Sequence, residues 1–398
     1  MKIGMILDKS FPPDPRVENE ADTLIRAGHE VYLYCFDYSG TQAQQEDIYG
    51  IQVWRARMPK HIYSLSALAY TIPYYHWFLE KSLKKFVEEN DIEALHVHDM
   101  QVARTVFKLN KAWRLPLVLD LHENRPEIMK YYAHVNSLQG KLLVSPKRWK
   151  KFEYQYIKQA DKVIVVTEEA KQYYLKELTT NPEKFYVVPN SIRKSFYNNY
   201  QRSEDIIERY RANFTVLYLG DTGLRRGVRE TINALAHLIP KIPNIRMVFV
   251  GNSKTDHVLK SLVVRNQWEN HVDLMGWQDF QLFQSYILAC DVGISPIHRN
   301  IHHDTTFANK IFQYLAFGKP VIVSDCPAQQ NLIEQYQCGL VFKNQSVEGI
   351  AEKITQLYED QTLYKQLSEN AKKAIETHLN WEILSKELVQ LYEQLDQK

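Results

Sequence analysis

No stretch of this 398-residue chain is long and apolar enough to span a bilayer, which takes about 18 apolar residues in a row. The nearest approach, residues 62–79, is interrupted by Ser64, Ser66, Pro73 and His76. Cysteine is scarce. Cys35, Cys290, Cys326 and Cys338 are scattered without a C-x-x-C pair, so neither a disulfide framework nor a zinc motif is indicated, and a reducing cytoplasm is the expected setting. An excess of one charge is also missing. The formal net charge is +2, whereas a dedicated nucleic-acid binder carries a strong basic surplus. No G-x-G-x-x-G follows the first strand-like segment, which argues against a dehydrogenase. The opening KIGMILD reads directly as a strand, with no charged-then-apolar leader before it. Internal repeats and low-complexity tracts are absent.

What the chain does have is alternation. Residues 2–7, 30–36, 94–98, 117–121 and 162–166 read as short apolar strands, with helical patterns such as 17–27 between them. The pattern restarts with strands at 214–219, 247–250, 272–275, 292–295 and 320–323 and a helix at 228–238. Strand–helix alternation implies parallel sheets covered by helices on both faces, so the chain is predicted to be α/β with two doubly wound, Rossmann-like domains. The boundary is placed in the polar stretch 188–211, giving domains at 1–188 and 189–380, with a last helical segment at 381–398.

Residues 304–327, DTTFANKIFQYLAFGKPVIVSDCP, carry the most information. A polar loop leads into a short helix through Asn309 and Lys310. Ile311, Phe312, Leu315 and Ala316 have helical spacing. Gly318 suits the position past a helix end, Pro320 stops the helix, and an apolar strand follows. A helix start offers free N–H groups and partial positive charge, and a lysine there makes a diphosphate the natural guest.

This stretch resembles the donor-binding signature of the family 4 glycosyltransferases, P-N-K-[LI]-F-E-Y-x-A-x-G-K-P-V-I, at Asn309, Lys310, Ile311, Phe312, Tyr314, Ala316, Gly318, Lys319, Pro320, Val321 and Ile322. The resemblance extends over most of the chain. FPPDPRVENEADTLIRAGHEV is similar to an acceptor-side motif, ADKVIVVTE to a strand ending in a hydroxyl residue near the cleft, and VVPNS to the linker motif V-x-P-N-G. It implies the GT-B fold, two Rossmann-like domains with a cleft between them. The nucleotide sugar would sit on the C-terminal domain and the acceptor on the N-terminal one. The last helix would pack back on the N-terminal domain. It further implies transfer with retention of configuration and no metal or other cofactor.

Sugar transfer requires that the departing diphosphate be neutralised, the sugar oriented and water excluded. LGDTGLRRG at 219–227 follows a strand and opens a helix, where a phosphate cradle is expected. The family's usual form is G-R-L-x-x-x-K-G. Arg226 stands for the lysine and keeps its charge, while Asp221 replaces the arginine and cannot bind phosphate; Arg225 is the possible substitute. Gln313 and Thr305 stand where the family's E-x7-E glutamates fall, so ribose binding departs from the pattern; Asp304 and Glu334 are neighbours able to compensate, and the bland reading of Gln313 is a half-exposed helix residue. Gly220, Gly251, Trp277 and Thr306 join Arg225, Thr305, Asn309 and Gln313 as donor-side candidates, with Arg226, Lys310 and His122 as catalytic ones. His122, in DLHENRPE at a strand end, matches the family's sugar-contacting histidine. Asp14, Arg16 and Glu123 are the acceptor-side candidates; the alternative for the first two is a helix cap and a solvated cation.

His96 and His98 alternate along one strand with Asp99 beyond. They are weak metal ligands, because no second ligand pair is evident in the sequence. The basic cluster Lys147, Arg148, Trp149, Lys150 and Lys151 and the aromatic segment 63–78 suggest peripheral contact with an anionic membrane at its inner face. The expected role is in bacterial surface polysaccharide or glycoconjugate synthesis, on a glycan, lipid-linked or small-molecule acceptor. Two rivals remain at this point, a nucleotide-sugar 2-epimerase of the same fold and a non-catalytic sugar-nucleotide-binding paralogue.

Overall fold

Short runs of Val, Ile and Leu bounded by turn residues build two open sheets. The computed structural model describes residues 1–137, 140 and 143–396. The strands are β1 Lys2–Ile6, β2 Glu30–Asp37, β3 Gln45–Ile48, β4 Ile51–Arg57, β5 Ala94–His98, β6 Leu117–Leu121, β7 Lys162–Val165 and β8 Phe185–Val187. The second set is β9 Phe214–Leu219, β10 Ile245–Val250, β11 Val272–Gly276, β12 Val292–Ser295, β13 Val321–Ser324 and β14 Gly339–Phe342. The first sheet runs β3-β4-β2-β1-β5-β6-β7-β8 and the second β11-β10-β9-β12-β13-β14. All ladders are parallel except β3–β4.

The chain divides into two units, Met1–Pro189 with Ser385–Lys398, and Asn190–Leu384. Of the final helical segment, Trp381–Leu384 stays with the second unit, while Lys386–Asp396 belongs to the first. There Tyr392 is fully buried, its hydroxyl 2.9 Å from His96 Nδ1, and Gln394 accepts a 2.8 Å hydrogen bond from Lys162.

Four strands escaped the sequence reading. β4 (IQVWRAR) mixes apolar residues with exposed Gln52 and Arg57, so it never reads as an apolar run. Its pairing with β3 is a hairpin, made by positive φ at both Tyr49 and Gly50. β8 and β14 have only three and four residues. The expected helix 228–238 is broken at Ala234 into Val228–Asn233 and Leu235–Leu238.

In the second sheet both faces are apolar. Val216, Tyr218, Met247 and Phe249 enter one core, and Leu217, Leu219, Val248 and Val250 the other. That two-sided burial is what a parallel sheet between helix layers requires. Each sheet also has a switch point. β1 lies between β2 and β5, and β9 between β10 and β12, so the connections leave on opposite sides. In such sheets ligands bind beyond the carboxyl ends of the strands at the switch.

Tyr314 fixes the helix Lys310–Ala316 to that place. Its hydroxyl donates to Leu217 O at 3.0 Å and accepts from Leu219 N at 2.9 Å. The ring can reach β9 because β12 has a glycine beside it: a Cβ on Gly293 would lie 2.2 Å from Tyr314 Cδ2. Tyr314→Phe removes both bonds and leaves a buried N–H and C=O unmatched. The expected loss is about 1–3 kcal/mol, read as a lower urea midpoint at unchanged slope; an unaltered midpoint would contradict this anchoring.

Candidate functional site

In the second unit, the loops after β9 and β10 are stripped of side chains where they meet. Gly220 has φ +115° and Gly251 φ +135°, and a Cβ on Gly251 would lie 2.0 Å from Gly220 O. Lys310 comes in beside them: a Cβ on Gly220 would sit 3.6 Å from its Nζ. The ammonium lies over the Tyr218 ring, 3.3 Å from its centroid. Burial, then the Arg226 charge, pull its pKa well below the usual lysine value, with Asp221 opposing.

Arg226 Nε and Arg225 Nη2 lie 3.5 and 3.7 Å from Asp221 Oδ2. The aspartate that replaces a phosphate-binding arginine therefore serves as a counter-ion to both cations. Gly227, at φ +73°, ends this turn where only glycine fits, since a Cβ would lie 1.8 Å from Pro296 O. Lys310, Arg225, Arg226 and Gly220 thus form one cationic, open-backbone cradle.

Other donor-side candidates fare differently. Thr305 is buried and its hydroxyl donates to Ile301 O at 2.7 Å, while Thr306 donates to His302 O at 2.8 Å, so both satisfy the turn Ile301–Asp304 instead of facing outward. Gln313 is buried, contrary to the half-exposed reading. Asn309 is exposed at the helix start and gives no side-chain cap. Trp277 is 72% exposed just after β11. Asp304 is engaged by Arg299 at 3.0 Å, and Glu334 is exposed and accepts from Gln330 at 2.9 Å.

In the first unit the sequence expectation for Arg16 is overturned. It is neither solvated nor open to an acceptor anion but 8% exposed, with a bidentate fork on Asp120 (Nε 3.1 Å, Nη2 2.8 Å) and further contacts to Glu20 at 2.9 Å and Val188 O at 3.0 Å. Its helix begins at Pro15, and Asp14 caps it by accepting from Val17 N at 3.2 Å. Glu123 pairs with Arg125 at 2.7 Å. Thr167, the hydroxyl residue after β7, caps the helix Glu168–Glu177 by accepting from Ala170 N at 3.0 Å.

His122 follows β6 and is held by carboxylates on both ring nitrogens, Nε2 2.8 Å from Asp120 Oδ2 and Nδ1 3.5 Å from Asp99 Oδ2. Burial acts to lower its pKa, but Asp120 and then Asp99 outweigh that and raise it to about 9, which favours imidazolium. The second pair that His96 and His98 lacked is present: Glu20 and Asp120 converge on them in the fully buried interior.

Sequence reading missed Asp8, Glu20, Asp99, Asp120 and Tyr218. Asp8, at the end of β1, is 1% exposed with no hydrogen-bond partner for either oxygen among the described residues. Burial and then Asp99 raise its pKa to about 6. Asp8, Asp99 and Asp120 offer locally a carboxylate at a strand end, and Glu20 a carboxylate within the helix Pro15–Arg26.

The basic–aromatic cluster is also corrected. Trp149 is 1% exposed, edge-on to Tyr70 at 4.7 Å, so the rings beside these cations are the half-buried Tyr154 and Tyr173, under Lys150 at 5.5 and 5.2 Å. In the other segment, Tyr74 and Trp77 are 48% and 60% exposed. No helix among the described residues is long and apolar enough to cross a membrane.

Comparison with known proteins agrees with this layout. Residues 201–374 match the family described as Glycosyl transferases group 1, and residues 16–196 match Glycosyltransferase Family 4. Phosphatidyl-myo-inositol mannosyltransferase of Mycolicibacterium smegmatis is 20% identical over 99% of this chain and 94% of its own. Among solved structures, sucrose-phosphate synthase of Thermosynechococcus elongatus superposes with a TM-score of 0.76 at 17% identity, covering 100% of this chain and 99% of that one. HepE of Anabaena, solved with UDP, gives 0.72 at 18% identity over 100% of both chains.

Arg16→Ala would strand two buried carboxylates. The expected loss is about 3–5 kcal/mol, measured by chemical denaturation; a loss below 1 kcal/mol, roughly that of an exposed pair, would contradict the buried fork.

Proposed function

The chain is a family 4 glycosyltransferase, and we propose that its C-terminal unit takes a nucleotide-diphosphate sugar whose anomeric carbon is transferred to an acceptor hydroxyl bound by the N-terminal unit. The observation that carries this reading is the cradle of Lys310, Arg226 and Arg225 around the bare backbone of Gly220. These cations crowd one another, with Asp221 between the two arginines. A diphosphate would relieve that repulsion and oppose the downward pull of burial and Arg226 on the Lys310 pKa. HepE, of the same fold, was solved with UDP and with UDP-glucose.

In the proposed transfer, the acceptor O–H attacks the anomeric carbon on the face the leaving group departs from. The bond from that carbon to the β-phosphate oxygen breaks, the new glycosidic bond forms, and the phosphate oxygen takes the hydroxyl proton. Configuration is retained. The developing charge on the diphosphate falls to Lys310 and Arg226, with no metal assigned to that step. No separate base is needed, because the leaving phosphate accepts the proton. His122, held as imidazolium by Asp120 and Asp99, is the proposed catalytic cation of the N-terminal unit.

We assign the acceptor to the glycans and lipid-linked glycans of surface polymer or glycoconjugate synthesis. The exposed Tyr74 and Trp77 support work at the inner face of a membrane. The mannosyltransferase relative is named for a lipid acceptor, phosphatidyl-myo-inositol.

Two measurements test this reading. In a thermal-shift panel of UDP-, GDP-, ADP- and TDP-sugars, a donor at 100 times its dissociation constant stabilises the fold by about 2.7 kcal/mol. Absence of a shift with every donor would contradict it. Lys310→Ala and Arg226→Ala each remove a charge-assisted contact of about 1.5–3 kcal/mol, so kcat/KM with the productive donor should fall about 10- to 100-fold with the fold intact. Near-wild-type rates in both variants would remove these residues from the site.

A further inference from the structure

His96 and His98 leave β5 on the same face, and the fold brings one carboxylate from the first helix and one from β6 to meet them. His96 Nε2 lies 3.5 Å from Glu20 Oε2 and 3.5 Å from Asp120 Oδ2. His98 Nδ1 lies 3.9 Å from Glu20 Oε2 and 3.4 Å from Asp120 Oδ2. Four ligand atoms at ~2.0–2.1 Å around a tetrahedral ion stand ~3.3–3.4 Å apart. The observed separations lie close to that spacing, and all six lie within 4.8 Å.

The surroundings favour an ion over an accidental cluster. All four side chains are 0% exposed, and Glu20 Oε2 and His96 Nε2 have no hydrogen-bond partner among the described residues. A buried acceptor and a buried ring nitrogen facing each other at contact distance need something between them. The Tyr392 hydroxyl meets the other nitrogen of His96, Nδ1, at 2.9 Å, which orients Nε2 toward the carboxylates. Arg16 takes Glu20 Oε1 at 2.9 Å and both oxygens of Asp120, Oδ1 at 2.8 Å and Oδ2 at 3.1 Å, and leaves Glu20 Oε2 turned toward the histidines. Asp120 Oδ2 is also reached by His122 Nε2 at 2.8 Å and Arg16 Nε at 3.1 Å. His98 Nδ1 is likewise shared, 3.1 Å from His122 Nε2, so Glu20 Oε2 and His96 Nε2 are the two ligand atoms without another hydrogen-bond partner among the described residues.

We infer that Glu20, His96, His98 and Asp120 hold a structural zinc ion inside the N-terminal unit. Two imidazoles with carboxylate oxygens suit zinc better than magnesium or calcium. Four protein ligands in a closed interior make the site structural and not one that opens to substrate. The inference stands independently of sugar transfer and assigns the ion no part in neutralising the diphosphate. The competing occupant is a proton shared by Glu20 and its neighbours.

The full-length protein, purified without chelator from zinc-supplemented cells, should carry about one zinc per chain by elemental analysis. Protein from cobalt-supplemented cells should show the intense visible absorption of tetrahedral Co²⁺. Glu20→Gln and His96→Gln should lose at least tenfold in bound metal while keeping the near-ultraviolet circular dichroism of the wild type. Metal far below stoichiometric in protein from both media overturns the site in favour of the shared proton. Full metal retention by both folded variants overturns the ligand assignment. If neither variant folds, the wild-type zinc content and cobalt spectrum decide alone.

Discussion

The upper end of the first sheet depends on one contact, the fork of Arg16 on Asp120 (3.1 and 2.8 Å). An ionised carboxylate at 0% exposure is untenable without a partner, and a planar guanidinium with two parallel bonds is the strongest partner a side chain provides. Everything near it follows. Arg16 also grips Glu20 and the carbonyl of Val188, so the first helix, β6 and the end of β8 share one knot. Asp120 in turn orients His122 and favours its charged form.

The second unit meets the same constraint with the opposite sign. Its cradle gathers Lys310, Arg225 and Arg226, with Asp221 paired to the two arginines. Tyr218 supplies a ring face beneath the ammonium where a carboxylate would have cancelled the site. Tyr314 and the glycines at 220, 227, 251 and 293 bring the cations together by leaving room, not by adding contacts. In the first unit Asp120 is met by Arg16 and His122 from the same unit, whereas the second gathers cations that suit an anionic ligand.

The strands β5, β6, β9 and β12 were legible to the residue because short apolar runs between turn signals have few alternatives. Gly318, at φ +66°, ended the helix Lys310–Ala316 where a backbone without Cβ is favoured. Lys310 and Arg226 were legible because a local pattern marks both. Arg16 was not, since its partner lies 104 residues away and nothing nearby says the helix face is covered. Asp8, Asp99 and Asp120 look like ordinary strand-end polar residues until the parallel ladder sets them side by side. Thr305 misled in the other direction: a hydroxyl at a motif position is equally able to bond its own turn, and here it does. β4 was lost because exposed Gln52 and Arg57 broke its apolar run, and β3, QEDI, because all but its last residue are polar and exposed.

The helix Lys386–Asp396 completes the first unit although it is made last, after the whole of the second. Tyr392 and Gln394 close over His96 and Lys162 from that distance in sequence. On the ribosome the first sheet must therefore wait, at usual synthesis rates for about 10 to 40 s, with the patch that Tyr392 will cover still open. The N-terminal half is thus the earlier to emerge and the later to mature, and a shortened C-terminus would be felt first at the opposite end of the sequence.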